Sequence, residues 1–172
     1  SCLCMSKKTI YKFFPTKEAL IDKIVSFRLN QIEAEIKAVR NNDSNPIQQF
    51  LGVMNIFYNS IAKLQIEQIG ELKNRYPKMW KRIETFRLNR KEDFYSILKN
   101  TQGQGFVREN LDIHVISTMY TNIINSTFQP EFFIENSLFP KDVLPVLVEM
   151  VSGGLLSEDG RKYYDKIKGS IK

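Results

Sequence analysis

The residues best suited to binding chemistry lie close together near the start of the chain. Lys7, Lys8, Thr9, Tyr11 and Lys12 place ammonium and hydroxyl groups within six consecutive positions. On one short exposed helix, such groups bond to phosphate oxygens and to base edges in a DNA groove. The pattern therefore indicates a nucleic-acid contact.

The flanking residues define the helix that must position these groups. Ser6 is suited to cap its start, because a serine hydroxyl accepts a hydrogen bond from a free amide of the first turn. Pro15 disfavours helical geometry in the residue before it, so we expect the helix to end near Phe13. Thr16 is then placed to cap a second helix, with Glu18 in its first turn. The apolar anchors of the short helix are expected to be Met5, Ile10, Phe13 and Phe14.

This segment resembles the recognition-helix signature of the TetR family of bacterial transcription regulators. The matching residues are Ser6-Lys7-Lys8-Thr9-Ile10-Tyr11-Lys12-Phe13-Phe14, followed by Thr16-Lys17-Glu18-Ala19-Leu20. The resemblance implies that Ser6, Thr9, Tyr11 and Lys12 touch DNA and that Lys17 lies near a phosphate. Cys4 departs from the family pattern, because it stands where a turn glycine is usual.

A helix-turn-helix reader also needs helices before its recognition helix. Residues 1–5 supply at most the last turn of one, so we expect roughly 30 residues to precede this chain in the gene product. The interpretation is of residues 1–40 as a partial helix-turn-helix DNA-binding domain, with a recognition helix at about 6–14 and then a long connecting helix. Residues 41–172 are interpreted as a helical effector-binding and dimerisation domain.

The charge distribution agrees with a phosphate-binding end. Residues 1–40 carry eight Lys and Arg against four Asp and Glu, a net charge of +4, whereas the remaining residues carry seventeen against fifteen, a net +2. A basic end on a nearly neutral body is typical of nucleic-acid binders, although a solvated helix surface explains the same charges. No apolar run approaches the roughly 18–20 residues that span a bilayer, and no secretory signal is visible, so we expect a cytoplasmic protein.

Catalytic and metal-binding interpretations find little support in the sequence. His114 is the single histidine, and it has no nucleophile or carboxylate partner at a persuasive spacing. Glu67 and Glu71 lie four apart, but di-iron bundles use Glu-x-x-His repeats, which do not occur here. Cys2 and Cys4 are too few for a disulfide framework. We therefore expect neither an enzyme, nor a metal site, nor a cofactor.

The remainder of the chain has the apolar periodicity of helices and almost no strand signal, which predicts an all-α fold. Predicted helices cover about 16–41, 45 onward with Asn45 as its cap, 78–99, 112–125 with Asp112 as its cap, and 142–151. The stretch between Asn125 and Pro140 is expected to be irregular. Gly153-Gly154 is expected to break the last apolar helix, and Ser157 to cap a tail helix.

Two apolar groups in the body suggest binding surfaces. The first is aromatic and predicts a ligand pocket between helices, although an ordinary packed core is the simpler interpretation: Phe57, Tyr58, Tyr76, Trp80, Phe94, Met119 and Tyr120. The second lies on the last long helices, which pair across the dimer in the TetR family: Ile113, Ile116, Ile123, Val143, Leu147 and Met150.

The resemblance implies a homodimeric repressor that binds a palindromic operator and is released by a small apolar or amphipathic effector. The alternative is a helical dimerisation or interaction module that binds no effector.

Overall fold

The structure is a computed structural model that describes residues 6–42, 45–61 and 66–168. Helices account for nearly all of this part, which confirms the predicted all-α class; its one β-type pairing is an isolated bridge between Val107 and Leu156. The helices are α1 (Lys7–Phe13), α2 (Lys17–Arg40), α3 (Pro46–Ile61), α4 (Ile66–Arg75), α5 (Pro77–Asn89), α6 (Lys91–Gly103), α7 (Ile113–Thr127), α8 (Pro130–Asn136), α9 (Pro140–Leu155) and α10 (Glu158–Lys168).

The predicted caps set the starts of five helices. The Ser6 and Thr16 hydroxyls each accept a hydrogen bond at 3.1 Å from the backbone amide three residues later, at Thr9 and Ala19. The side-chain oxygens of Asn45 and Asp112 accept from the amides two and three residues later and so cap α3 and α7. Ser157 caps α10 by accepting from the Gly160 amide at 3.1 Å. These caps place α1 and α2 as the sequence predicts, separated by a short extended turn.

One predicted helix is interrupted. The sequence predicts a continuous helix over about 78–99, but α5 ends at Asn89 and α6 begins at Lys91. No proline or glycine causes the break. Asp93 instead accepts ion pairs from Arg90, at 3.0 Å, and from Arg40 of α2. Packing of α6 against α3 and α7 thus redirects the chain at a point where local propensity favours a continuous helix.

The segment between α7 and α9 was wrongly predicted to be irregular. Pro130 opens α8, and both Pro130 and Phe133 are buried. Proline is favoured in the first turn of a helix, where its missing amide hydrogen costs nothing. Phe133 then packs with Phe128, Leu144 and Leu147 in a small second core, so burial of this aromatic residue stabilises a short helix.

The predicted limits of α9 were also wrong. The helix begins at Pro140 rather than near Asp142, so Pro145 lies inside it rather than in its first turn. It also continues through Gly153-Gly154 to Leu155, which is buried and whose carbonyl accepts a hydrogen bond from the Arg108 amide at 3.0 Å. Tertiary anchoring of this helix end outweighs the cost of the two glycines.

The main core joins α2 to the body of the molecule. Ile32 and Ile36 of α2 are buried beside side chains of α3, α6 and α7. At its centre, the Phe94 ring stacks on Tyr120 with 4.1 Å between ring centroids. Because α2 begins immediately after α1 and is packed into this core, it connects α1 to the body of the molecule.

Candidate nucleic-acid interface and ligand cavity

The exposed face of α1 carries two lysines and a tyrosine. Lys8, Tyr11 and Lys12 are spaced i, i+3, i+4 and therefore lie on the same side of the helix. All three are exposed, and the Tyr11 side chain is 53% accessible. Lys8 and Lys12 form no ion pair with another described residue. This face thus presents two cations and a phenol to solvent.

The other residues predicted to contact DNA have different surroundings. The Ser6 hydroxyl caps α1 and lies 2.9 Å from that of Thr9, so both are engaged within the helix start. Lys17 lies 3.9 Å from Glu71 of α4 and thus pairs with the body. The Lys7 side chain lies outside the described residues.

Phe13 does not anchor α1 as predicted. Its side chain is 74% exposed, whereas Ile10 and Phe14 are half-buried. The predicted anchor Met5 lies outside the described residues. Ile10 and Phe14 lie about 40° apart on one side of the helix, whereas Phe13 lies about 100° from Phe14, beyond the edge of that side.

Polar contacts join α2 to α5 near the α1 end. Arg82 donates to Asp22 and, at 2.8 Å, to the Ser26 hydroxyl. With the Lys17–Glu71 pair, these contacts connect the first half of α2 to α4 and α5. A rearrangement of α4 or α5 would therefore act on α2 close to the exposed face of α1.

Two apolar cavities lie between the helices of the body. The smaller, of about 60 Å³, is bordered by α2, α3, α5, α6, α7 and α9. The larger, of about 270 Å³, is bordered by α2, α3, α4, α5 and α8. Phe57, Arg87 and Phe128 line both cavities, so these three side chains form the partition between them.

The cavity lining includes part of the predicted aromatic group. Phe94 and Tyr120 line the smaller cavity, Trp80 lines the larger, and Phe57 lines both.

The other predicted pocket residues lie elsewhere. Tyr58 borders an open groove beside α9, and Tyr76 borders a groove between α2 and α4. Met119 is 58% exposed, so its assignment to the pocket was wrong. It precedes Tyr120 by one residue, and that step of about 100° takes its side chain to the outer side of α7.

Sequence reasoning missed Arg87, the cation in the wall between the cavities. Its Nη1 donates to the Phe128 carbonyl at 2.7 Å, and its guanidinium lies 5.3 Å from the centre of the Trp80 ring. Burial lowers the pKa of Arg87, and the charge of Glu84 opposes this effect. The available signal was spacing: Trp80, Glu84 and Arg87 follow one another at four and three residues, on one side of α5.

Glu84 is held by other partners. Its Oε1 accepts hydrogen bonds from Trp80 Nε1 at 3.0 Å and from Gln129 Nε2 at 3.1 Å. Partial burial raises the pKa of Glu84, but these hydrogen bonds and the nearby Lys81 and Arg87 outweigh it, so that the pKa is lowered.

Tyr120 lines the smaller cavity. Its hydroxyl lies 2.7 Å from the sulfur of Met54, and burial raises the pKa of this phenol above its ordinary value. Tyr120 therefore stays neutral and contributes an aromatic wall.

The residues predicted for the dimer interface divide between core and surface. Ile113 and Leu147 are buried inside the molecule, where a partner subunit cannot reach them. Ile116 and Val143 are half-buried, whereas Ile123 and Met150 are exposed. Further exposed apolar side chains continue the rows of Ile123 and Met150: Val115 and Met119 on α7, and Val146 on α9. We call these five residues the α7–α9 apolar rows.

None of the described helices is long and apolar enough to cross a bilayer. The described residues also contain no group of three His, Cys, Asp or Glu side chains arranged to hold a metal ion.

Comparisons with known proteins identify one curated relative and similar solved structures. No family model matches the chain. A curated protein of Bacillus subtilis (strain 168), the uncharacterized HTH-type transcriptional regulator YvaF, is 21% identical over 162 residues, which cover 92% of this chain and 84% of that protein.

Two solved structures share the architecture. The ketosteroid transcriptional regulator KstR2 of Mycobacterium tuberculosis superposes with a TM-score of 0.58 and 17% identity, over 90% of this chain and 80% of that one. The TetR family transcriptional regulator PfmR of Thermus thermophilus gives a TM-score of 0.56 and 17% identity, over 88% of this chain and 84% of that one. The chain therefore shares the all-helical fold of these two regulators, as the resemblance of its motif implies.

Proposed function

We propose that this protein is a DNA-binding transcriptional regulator, a repressor that reads its operator through α1 and is released by a small molecule bound in the body. The observation that carries the proposal is the exposed face formed by Lys8, Tyr11 and Lys12. Two cations without a described ion-pair partner suit phosphate oxygens, and a tyrosine between them can reach a base edge or the backbone. The similarity to transcriptional regulators supports the same function.

A two-fold dimer would present two such faces to one duplex. The α7–α9 apolar rows support this arrangement, because exposed apolar side chains that recur along a helix are candidates for an interaction surface. Two-fold symmetry would place the α1 helices roughly 34 Å apart, one turn of B-DNA, and would match a palindromic operator.

The cavities supply the proposed effector site. Its walls are aromatic and aliphatic with few polar groups, which is typical of small-molecule pockets. The polar contacts of Arg82 and Lys17 provide a route from the cavity helices to α2 and hence to α1. An effector that weakens DNA binding must, by linkage, bind less tightly to the DNA-bound protein. As a bacterial regulator of this kind, the protein would act in the cytoplasm.

The proposal is tested by selecting binding sites from a random DNA pool with the full-length protein. We expect a palindromic sequence to emerge. Its affinity should fall steeply with salt, because each neutralised phosphate contributes a slope of about −0.9 to log K against log salt. Two lysines on each of two subunits give a slope of about −3.6 or steeper. Recovery of no sequence, or a flat salt dependence, would contradict the proposal.

A further inference from the structure

The partition between the two cavities contains a cation whose hydrogen bonds are incomplete. Arg87 lines both cavities, with Phe57 and Phe128 as its apolar neighbours in the partition. Of its guanidinium nitrogens, Nη1 donates to the Phe128 carbonyl at the end of α7. The Nε and Nη2 nitrogens are buried and have no hydrogen-bond partner among the described residues.

Unsatisfied buried donors of this kind are uncommon, because desolvation of a polar group without a hydrogen bond is costly, and more so when the group is charged. A guanidinium also stays protonated at neutral pH even when burial lowers its pKa. The positive charge and the two donors therefore persist in the cavity wall.

The nearby carboxylates do not accept hydrogen bonds from Nε or Nη2 of Arg87. Glu84 accepts its hydrogen bonds from Trp80 and Gln129. Asp93, which also lines the smaller cavity, pairs with Arg90 at 3.0 Å and with Arg40. Both acidic groups are thus bonded to other partners, and Glu84 acts on Arg87 only through its charge.

The two open donors have a specific geometry. Nε–H and the adjacent Nη2–H of an arginine point in the same direction and form a fork that matches the two oxygens of a carboxylate. Nη1, which binds Phe128, lies on the opposite side of the guanidinium. The side of Arg87 that has no partner is therefore the side that receives a carboxylate in bidentate pairs.

We propose that the cavities bind an amphipathic monocarboxylate, with its carboxylate on Nε and Nη2 of Arg87 and its apolar body in the larger cavity. This proposal rests on the proposed effector site and assigns its ligand class. The apolar walls of the larger cavity, among them Leu72, Trp80 and Phe133, suit a hydrocarbon chain or ring.

The cavity volume limits the size of the ligand. A cavity of 150 Å³ holds a benzene molecule, so the larger cavity of about 270 Å³ has room for about eleven non-hydrogen atoms by the same ratio. Octanoate is close to this size. Its alcohol analogue 1-octanol has nearly the same shape and no charge, which makes the pair a direct probe of Arg87.

The chain carries a reporter at the site. Trp80 is its single tryptophan, lines the larger cavity and lies against Arg87. Titration of octanoate or 1-octanol into the full-length protein, followed by tryptophan fluorescence, thus measures binding without DNA. We expect octanoate to bind at least about tenfold more tightly than 1-octanol, because hydrogen bonds to charged groups are worth about that factor or more.

Substitution of the arginine completes the test. Arg87→Met should weaken octanoate about tenfold to a hundredfold and leave 1-octanol unchanged. Arg87→Lys keeps the positive charge but not the pair of parallel N–H donors, so we expect a smaller loss of octanoate affinity than with Arg87→Met. Arg87→Lys also provides the test if Arg87→Met does not fold. The matched control is Arg75→Met, which removes an exposed arginine paired with Glu71 and should alter neither affinity.

Two results would overturn the inference. Equal affinities for octanoate and 1-octanol, with no effect of Arg87→Met, would mean that water satisfies the Arg87 donors and that the cavity has no carboxylate site. Failure of both probes to bind the folded wild-type protein would mean that neither cavity admits a ligand of this class. Neither result involves DNA, so both remain distinct from a failure of the operator selection.

Discussion

A charge placed on the exposed apolar surface of α9 should dissociate the proposed dimer. Met150 is 65% exposed in the isolated chain. Complete burial of a methionine side chain is worth about 1.5–3 kcal/mol, so covering two thirds of one contributes about 1–2 kcal/mol. The residue occurs twice across a two-fold interface, which gives about 2–4 kcal/mol for the dimer.

Met150→Glu removes this contribution and places two like charges near the symmetry axis. At 1.4 kcal/mol per tenfold, the dimer dissociation constant should rise roughly thirtyfold to several hundredfold. Sedimentation velocity over a range of protein concentrations measures this change. Circular dichroism of the same samples should show an unchanged helical content, because Met150 contributes little to the core of the monomer.

The matched control is Leu88→Glu, which replaces an exposed apolar residue of α5 (40% accessible) outside the α7–α9 apolar rows. It should leave the dissociation constant unchanged. If Met150→Glu dimerises as tightly as the wild type, or if Leu88→Glu dissociates the dimer equally, the assignment of the α7–α9 apolar rows to the interface is wrong.

Two further predictions concern stability. Gly160→Ala should lower the free energy of unfolding by about 1–3 kcal/mol, because its new methyl group would clash with the Phe106 backbone carbonyl. Gly154→Ala, in open space on α9, should raise the free energy of unfolding by about 0.5–1 kcal/mol. Urea denaturation of both variants measures these changes. Equal changes in the free energy of unfolding would refute the close packing at Gly160. Since the folded-state pKa of Glu84 is lowered, its stabilising effect should be present at neutral pH and decline as the pH falls through and below the ordinary carboxyl value of 4.5. The stability difference between wild type and Glu84→Gln should shrink over that range, and a constant difference would contradict the assigned hydrogen bonds.

Local signals predicted helix starts well. The caps at Ser6, Thr16, Asn45 and Asp112 depend on a side chain and an amide two or three residues later. All the information needed for such a cap lies within one turn of the sequence. No local signal predicted the break at Arg90. The ion pairs at this break join Asp93 to Arg90 and to a residue of another helix, and a contact between helices is not visible in the local sequence.

The cavity was predictable only in part for a related reason. Aromatic composition identified Phe57, Trp80, Phe94 and Tyr120, since large rings must pack somewhere inside a helical body. Composition does not say which side of a helix faces inward, and Met119 was misplaced for that reason. Arg87 was not predicted because an arginine in a helix is ordinarily assigned to the surface. Only the folded structure shows that it lines both cavities and that two of its nitrogens are buried without a hydrogen-bond partner among the described residues.

Operator binding by variants of α1 decides whether the exposed face of this helix reads DNA. The full-length wild-type protein, the double variant Tyr11→Ala/Lys12→Ala and the control Lys99→Ala, which removes an exposed lysine of α6, are titrated with the selected operator at several salt concentrations. The double variant should lose about a hundredfold or more in affinity, and its salt slope should become shallower by about two for the dimer, because one phosphate contact is lost per subunit. Lys99→Ala should match the wild type. An unchanged operator affinity and salt slope for the double variant would contradict the account.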